Sequence, residues 1–219
     1  MRKATLGLVL VGATVALAGC GATNSALVER HQTVEYYRIF HIATDASRYE
    51  VSQAASRGLS RNVNAAQEAR PIPTFTTPPE EPGRFQLVDP FAGSAMSAMA
   101  SAGGSIGMRV ATCDGAVWTA SARRTIAGSN NLQLTACLWE YAGGYHLDTY
   151  ANFQKLQGGI RQISRSMASA MVGTPEEWTE KTMLDIVRAV REATGAEVTL
   201  VEGYPPLSGT PWLDRGEEL

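Results

Sequence analysis

His146 and Asp148 are the residues in this chain whose types and spacing first suggest chemistry. Two positions apart on a strand they would share a face. An imidazole and a carboxylate so placed can relay a proton or supply two ligands to a metal. No third ligand accompanies them: His31 and His41 fall in other segments, and there is no His-x-x-x-His pair. The expectation is a solvated strand face with no metal and no cofactor, and an enzyme using His146 and Asp148 is kept as a rival. Gly103-Gly104-Ser105-Ile106-Gly107 spells G-x-S-x-G. A nucleophile elbow, however, needs a strand before the serine and a helix after it, and here the order is reversed. Glu176, Glu177 and Glu180 crowd the start of a helix, where acids complement the helix dipole without any catalytic duty. Trp139, Tyr141, Tyr145 and Tyr150 gather around Gly143-Gly144, either as an exposed patch for a partner or as core under a helix.

These residues must be positioned by strands and helices that the patterning marks out. Val34–Ile42 is rich in aromatic and β-branched residues and predicts a strand. Asp45 can cap a helix carrying Val51, Ala54, Ala55, Gly58, Leu59 and Val63 at helical spacing. Pro71–Pro82 holds five prolines, which fix φ and cannot donate to a ladder, so it reads as an extended connector. Residues 91–107 are mostly small, with Met96 and Met99 three apart. They form a loop or a short helix whose methionines touch a partner. Met108–Cys113 and Ala116–Arg124 flank Asp114-Gly115, a strong hairpin signal. Leu132–Tyr141 and Tyr145–Phe153 alternate in period two around a glycine turn.

The C-terminal third predicts helices. Ile160, Ile163, Met167, Ala170 and Met171 make an apolar stripe. Thr174-Pro175-Glu176-Glu177 is a full start signal, with a capping threonine, proline in the first helical position and glutamate to close the box. That helix ends at Gly195, and Ala196–Glu202 returns as a strand. Trp212 then pins an irregular tail. Strands grouped together, with helices elsewhere in the chain, indicate α+β. The expected fold is a mostly antiparallel sheet of about five to six strands, two or three helices on one face, and one disulfide.

The N-terminus carries an address. Arg2 and Lys3 precede an uncharged apolar run from Leu6 to Ala18, shorter than the roughly 20 residues needed to span a bilayer. The run ends in Leu17-Ala18-Gly19-Cys20, which resembles the lipobox of bacterial lipoproteins. The resemblance covers the first 20 residues only. It implies removal of residues 1–19, acylation of Cys20, and anchoring to a membrane through several acyl chains, which together hold far better than one. Gly21 in place of aspartate implies the outer membrane, facing the periplasm, in a Gram-negative host. Residues 20–33 would be an acylated cysteine and a flexible tether. Residues 34–219 would be one domain with a Pro-rich segment (70–83) and an Ala/Ser/Gly-rich one (91–107).

Losing residues 1–19 removes Arg2 and Lys3 and no acid, so 19 basic against 21 acidic side chains become 17 against 21, a formal charge of −4. No basic patch stands out, which argues against nucleic acid as a partner. With Cys20 lipidated, Cys113 and Cys137 remain as a pair, and a disulfide is the default in an oxidising compartment. In a flat meander they would lie two strands apart, about 9.6 Å, too far for a bridge. Either the first strand pairs with the third, or the Asp114-Gly115 turn curls over the sheet, or the bridge is absent; a bridge with a curled or reordered sheet is the expectation. The leading functional expectation is a non-catalytic envelope lipoprotein binding an envelope protein, with Met96, Met99, Trp139, Tyr141 and Tyr145 as contacts. A small-molecule or lipid-binding domain, with an apolar cavity between sheet and helices, is the alternative.

Overall fold

The computed structural model describes residues 30–90, 92, 109–126, 130–157 and 174–214. Cys20, Met96, Met99, the G-x-S-x-G run and the helix expected over 160–171 lie outside the described residues. Thr33–Lys155 and Gly173–Leu219 belong to one folded unit, which is the body described here. Of a second unit, Met1–Gln32 with Leu156–Val172, only the strand ends 30–32 and 156–157 are described.

The fold is α+β. Among the described residues eight strands run as β1 (Arg30–Ala43), β2 (Ala66–Ala69), β3 (Gln86–Val88), β4 (Val110–Thr112), β5 (Trp118–Ile126), β6 (Asn130–Tyr141), β7 (Gly144–Gln157) and β8 (Glu197–Tyr204). Helix α1 spans Arg48–Ser60 and α2 spans Pro175–Thr194. Six strands form one antiparallel sheet in the order β2-β5-β6-β7-β1-β8, and β3 pairs with β4 in a small sheet of its own. Strand β1 starts at Arg30, so the last residues assigned to the tether are already in the strand.

Alternation along the strands separates two faces. Leu132, Leu134, Ala136 and Leu138 of β6, with Leu147, Ala151 and Phe153 of β7, turn to the helices and are buried with Phe40 and Ile42 of β1. Helix α1 lays Val51, Ala54, Ala55 and Leu59 on this surface, and α2 adds Met183, Ile186, Val187 and Val190. Three cavities lined by described residues open away from that apolar layer.

The two helices meet at Gly58. A Cβ there would stand inside van der Waals contact of the Asp185 carbonyl oxygen and 2.6 Å from Ile186 Cα, so only glycine allows this approach. Beside the contact, buried Asp185 accepts from Asn62 Nδ2 (2.7 Å), Lys181 Nζ (2.9 Å) and Arg188 (3.1 Å). Burial alone would raise its pKa, but the hydrogen bonds from Asn62 and Lys181 hold it below the usual carboxylate value.

The capping box of α2 forms as read: Thr174 Oγ1 accepts from Glu177 N (3.1 Å) while Glu177 accepts from Thr174 N (2.9 Å). Helix α1 is capped by Ser47, not Asp45, because Ser47 Oγ is the group that reaches Glu50 N. It stops at Ser60, where Arg61 N and Asn62 N turn back to Gly58 and Leu59 carbonyls, so Val63 lies beyond it. Trp212 pins the tail by donating to the Val198 carbonyl (3.2 Å) and meeting Phe40 edge-on.

One expected pairing does not occur. Asp114-Gly115 makes a turn, closed by Ala116 N to Cys113 O (3.1 Å), but it does not join β4 and β5 in a hairpin. Strand β5 already has β2 on one side and β6 on the other. Strand β4 therefore lifts out of the plane and takes β3 as its partner. This brings Cys113 over β6, and a disulfide joins it to Cys137 with Cα atoms 5.7 Å apart. The curled turn is the solution that the spacing of neighbouring strands required.

Two outcomes test this account. Gly58→Ala gains up to about 1 kcal/mol of helix propensity, yet should destabilise the body by about 1–3 kcal/mol because the helices must separate. A chemical-denaturation midpoint equal to or above the parent's would refute the close contact. Replacing both Cys113 and Cys137 by alanine should lower stability by about 3 kcal/mol, read in the same experiment.

Candidate functional site

The second face of the sheet carries the polar and aromatic residues that the sequence singled out. Tyr37, Ile39 and His41 of β1, His146, Asp148, Tyr150 and Asn152 of β7, and Cys137, Trp139 and Tyr141 of β6 share it, as the strand register requires. It is not a solvated face. The chain from Pro79 to Val88, ending in β3, lies across it together with β4. Ala142 N donates to Pro79 O (2.8 Å). Gly83 rests directly on the Trp139 indole, where any Cβ would collide with the ring. Phe85 packs between Tyr37 and Tyr150, with ring centres 6.0 and 5.7 Å away. Arg84 pairs with Glu202, and Arg109 pairs with Glu35. Asn152 Nδ2 donates to Arg109 O (2.6 Å). The Pro-rich connector forms neither strand nor helix and bends at Thr74, Thr76, Thr77, Glu80 and Glu81, and its continuation through Val88 roofs the face.

Trp139 and Tyr145 are consequently interior residues, each 2% exposed. Trp139 Nε1 donates to Asp114 O (2.9 Å), and Tyr145 Oη donates to Ala46 O from the helix side of the sheet. They support the fold instead of forming an exposed patch. Tyr141 is half-buried and its hydroxyl meets His41 Nδ1 at 2.7 Å.

His146 and Asp148 share a face but not a task. No hydrogen bond joins them. Asp148 is fully buried beneath the roof, its Oδ2 accepting from Phe85 N (3.2 Å) while Oδ1 has no partner. Burial pushes its pKa up to about 7, against the pull of the Phe85 amide and of Arg84. His146 instead faces His41 and Tyr141, with ring centres 5.9 and 5.3 Å away. Burial, then the His41 and Arg84 charges, push it down to about 4, so it is neutral at pH 7. The sequence reading placed His41 on a separate strand and missed the triple. The missing signal was the pairing of β1 beside β7. No group of three His, Cys, Asp or Glu suited to a metal occurs among the described residues.

The Asp148 carboxyl gives a pH signature. Its folded pKa lies above the ordinary 3.8, so the unfolded chain loses this proton first as pH rises. The stability of the protonated form is fully present below about pH 4 and is lost as pH climbs through about 7. Asp148→Asn keeps an acceptor for Phe85 N and cannot ionise. Between pH 4.5 and pH 8 the variant should gain about 2–4 kcal/mol relative to the parent. Parallel stability curves over that range would refute the buried, neutral carboxyl. Compared with known protein families, with curated proteins and with solved structures, the chain matches none.

Proposed function

We propose that this chain is the precursor of an envelope lipoprotein whose folded body serves as a non-catalytic binding module for another envelope protein. The lipobox-like run ending at Cys20 supports the anchor. The Cys113–Cys137 bridge supports an oxidising compartment by an argument independent of the N-terminus. No helix among the described residues is long and apolar enough to cross a membrane, so the anchor in this reading is the acylated cysteine.

The observation that carries the binding role is Ile72. This large aliphatic side chain is 91% exposed, between Pro71 and Pro73, whose rings fix φ on either side of it. Proline-flanked chain is already restricted in φ, so a partner groove can take it at low entropic cost. Tyr49, 66% exposed on the nearby α1, is a second apolar contact for the same partner. Arg70, one residue before Pro71, reaches Ser52 and Ser56 of α1 and holds connector and helix together.

A small-molecule reading is favoured by one cleft. A cavity of about 450 Å³ lies between β4 and the β2-β5-β6 part of the sheet, lined by Gln67, Thr119, Ser121, Gln133 and Thr135 with Asp114. Its lining mixes these polar groups with Val110, Ala111 and Cys113, which suits a small ligand with both polar and apolar faces.

A photo-crosslinker at Ile72 in the full-length protein, expressed in cells, should trap one defined envelope protein. The same group at Val201, exposed on β8, should not. Capture from neither position, or equally from both, would overturn the contact surface. Labelled palmitate should enter the parent and not Cys20→Ala, and equal labelling would overturn the anchor.

A further inference from the structure

We propose that His41 and His146 form a binding site for a divalent transition-metal ion, with Tyr141 holding the His41 ring in its liganding tautomer. The site goes beyond the partner-binding role and does not depend on it.

Three adjacent strands of the sheet supply the three side chains: Tyr141 from β6, His146 from β7 and His41 from β1. Their ring centres are mutually close, at 5.8 Å for His41–Tyr141, 5.9 Å for His41–His146 and 5.3 Å for Tyr141–His146. A metal bound at about 2.0–2.1 Å from an imidazole nitrogen stands about 3.2 Å from the ring centre. Two rings can therefore share one ion when their centres are up to about 6.4 Å apart. The observed pair falls within that limit.

The hydrogen bond to His41 engages Nδ1 and leaves Nε2 outside it. Tyr141 Oη lies 2.7 Å from His41 Nδ1. With the proton on Nδ1 the ring donates to the phenolic oxygen, and Nε2 carries the lone pair. Ligating histidines are characteristically held in this way, by an oxygen accepting from the other ring nitrogen. Neither nitrogen of His146 has a hydrogen-bond partner among the described residues, so its lone pair is uncommitted to the fold.

Charge and access fit the same assignment. Arg84 is the cation that faces the site, and its charge is answered by the ion pair with Glu202. All three side chains are half-buried, which leaves an approach from solvent while anchoring the rings. Imidazole donors with no thiolate favour Cu²⁺, Zn²⁺ and Ni²⁺ over Mg²⁺ or Ca²⁺, and Cu²⁺ is expected to bind tightest.

The experiment titrates the untagged full-length protein with Cu²⁺ and, separately, Zn²⁺, following heat and, for copper, the electron paramagnetic resonance spectrum. One ion per chain should bind, and the copper spectrum should show two coordinating nitrogens from imidazole. His41→Asn and His146→Asn should each weaken binding at least tenfold. Tyr141→Phe should weaken it about tenfold, the ordinary cost of losing a group that orients a ligand. His31→Asn should change nothing. Circular dichroism checks that each variant folds. The copper spectrum of the parent decides the matter even where a variant does not fold. A spectrum without imidazole nitrogen, or affinity lost with His31 and kept without His41 or His146, would overturn the site.

Discussion

A six-stranded sheet has two faces, and the bond between Cys113 and Cys137 decides what becomes of the second one. The first face is covered in the ordinary way by α1 and α2, through a layer of leucine, isoleucine, valine and alanine. The opposite face has no helix over it among the described residues. Its roof is a stretch of chain without regular structure and a two-stranded sheet, with little apolar area of its own: Ala116, Cys137 and Trp139 form a small core, with Phe85 and Cys113 packed against it. Such a cover would open readily if hydrophobic burial were its main attachment. The disulfide fixes one end of it to β6, the strand that carries Trp139. The ion pairs Arg84–Glu202 and Arg109–Glu35, both partly exposed, then need only set orientation.

Once the roof is in place, the chemistry of the buried groups follows from it. Asp148 loses solvent and keeps one amide donor, so its proton stays on to near-neutral pH. His146 loses solvent beside another imidazole and an arginine, so it gives its proton up early. These neighbours on one strand are driven in opposite directions by one cause, the removal of water from the charged form. A surface His-Asp pair would show neither shift.

The parts of the fold that were legible in the sequence are those in which the information is local. The cap at Thr174, the stop at Gly195 and the alternation of β6 and β7 are written in residues a few positions apart, and each forms where read. The hairpin expected at Asp114-Gly115 was misplaced because the turn itself is local while the choice of strand partner is not. Strand β5 had two better partners, one of them the four-residue β2, whose Ala-Gln-Glu-Ala sequence carries no strand pattern. Strand β3, only three residues long, was invisible for the same reason. The His41–Tyr141–His146 grouping was hidden by distance along the chain: 100 residues separate His41 from Tyr141, and only the pairing of β1 with β7 brings them together. Reading His146 and Asp148 as one unit failed because a shared face is not a shared hydrogen bond.

The order of the sheet has a last consequence at its margins. The outermost strands, β2 and β8, are the places where a second sheet could attach. Strand β2 is only four residues long and runs within two residues into Pro71, which has no amide to offer. Strand β8 is closed by Pro205 and Pro206 just past its end, and the Trp212 indole occupies the Val198 carbonyl near its start. The β2 margin is thus too short to template a second sheet, and the β8 margin is interrupted at Val198 and limited by the prolines past Tyr204.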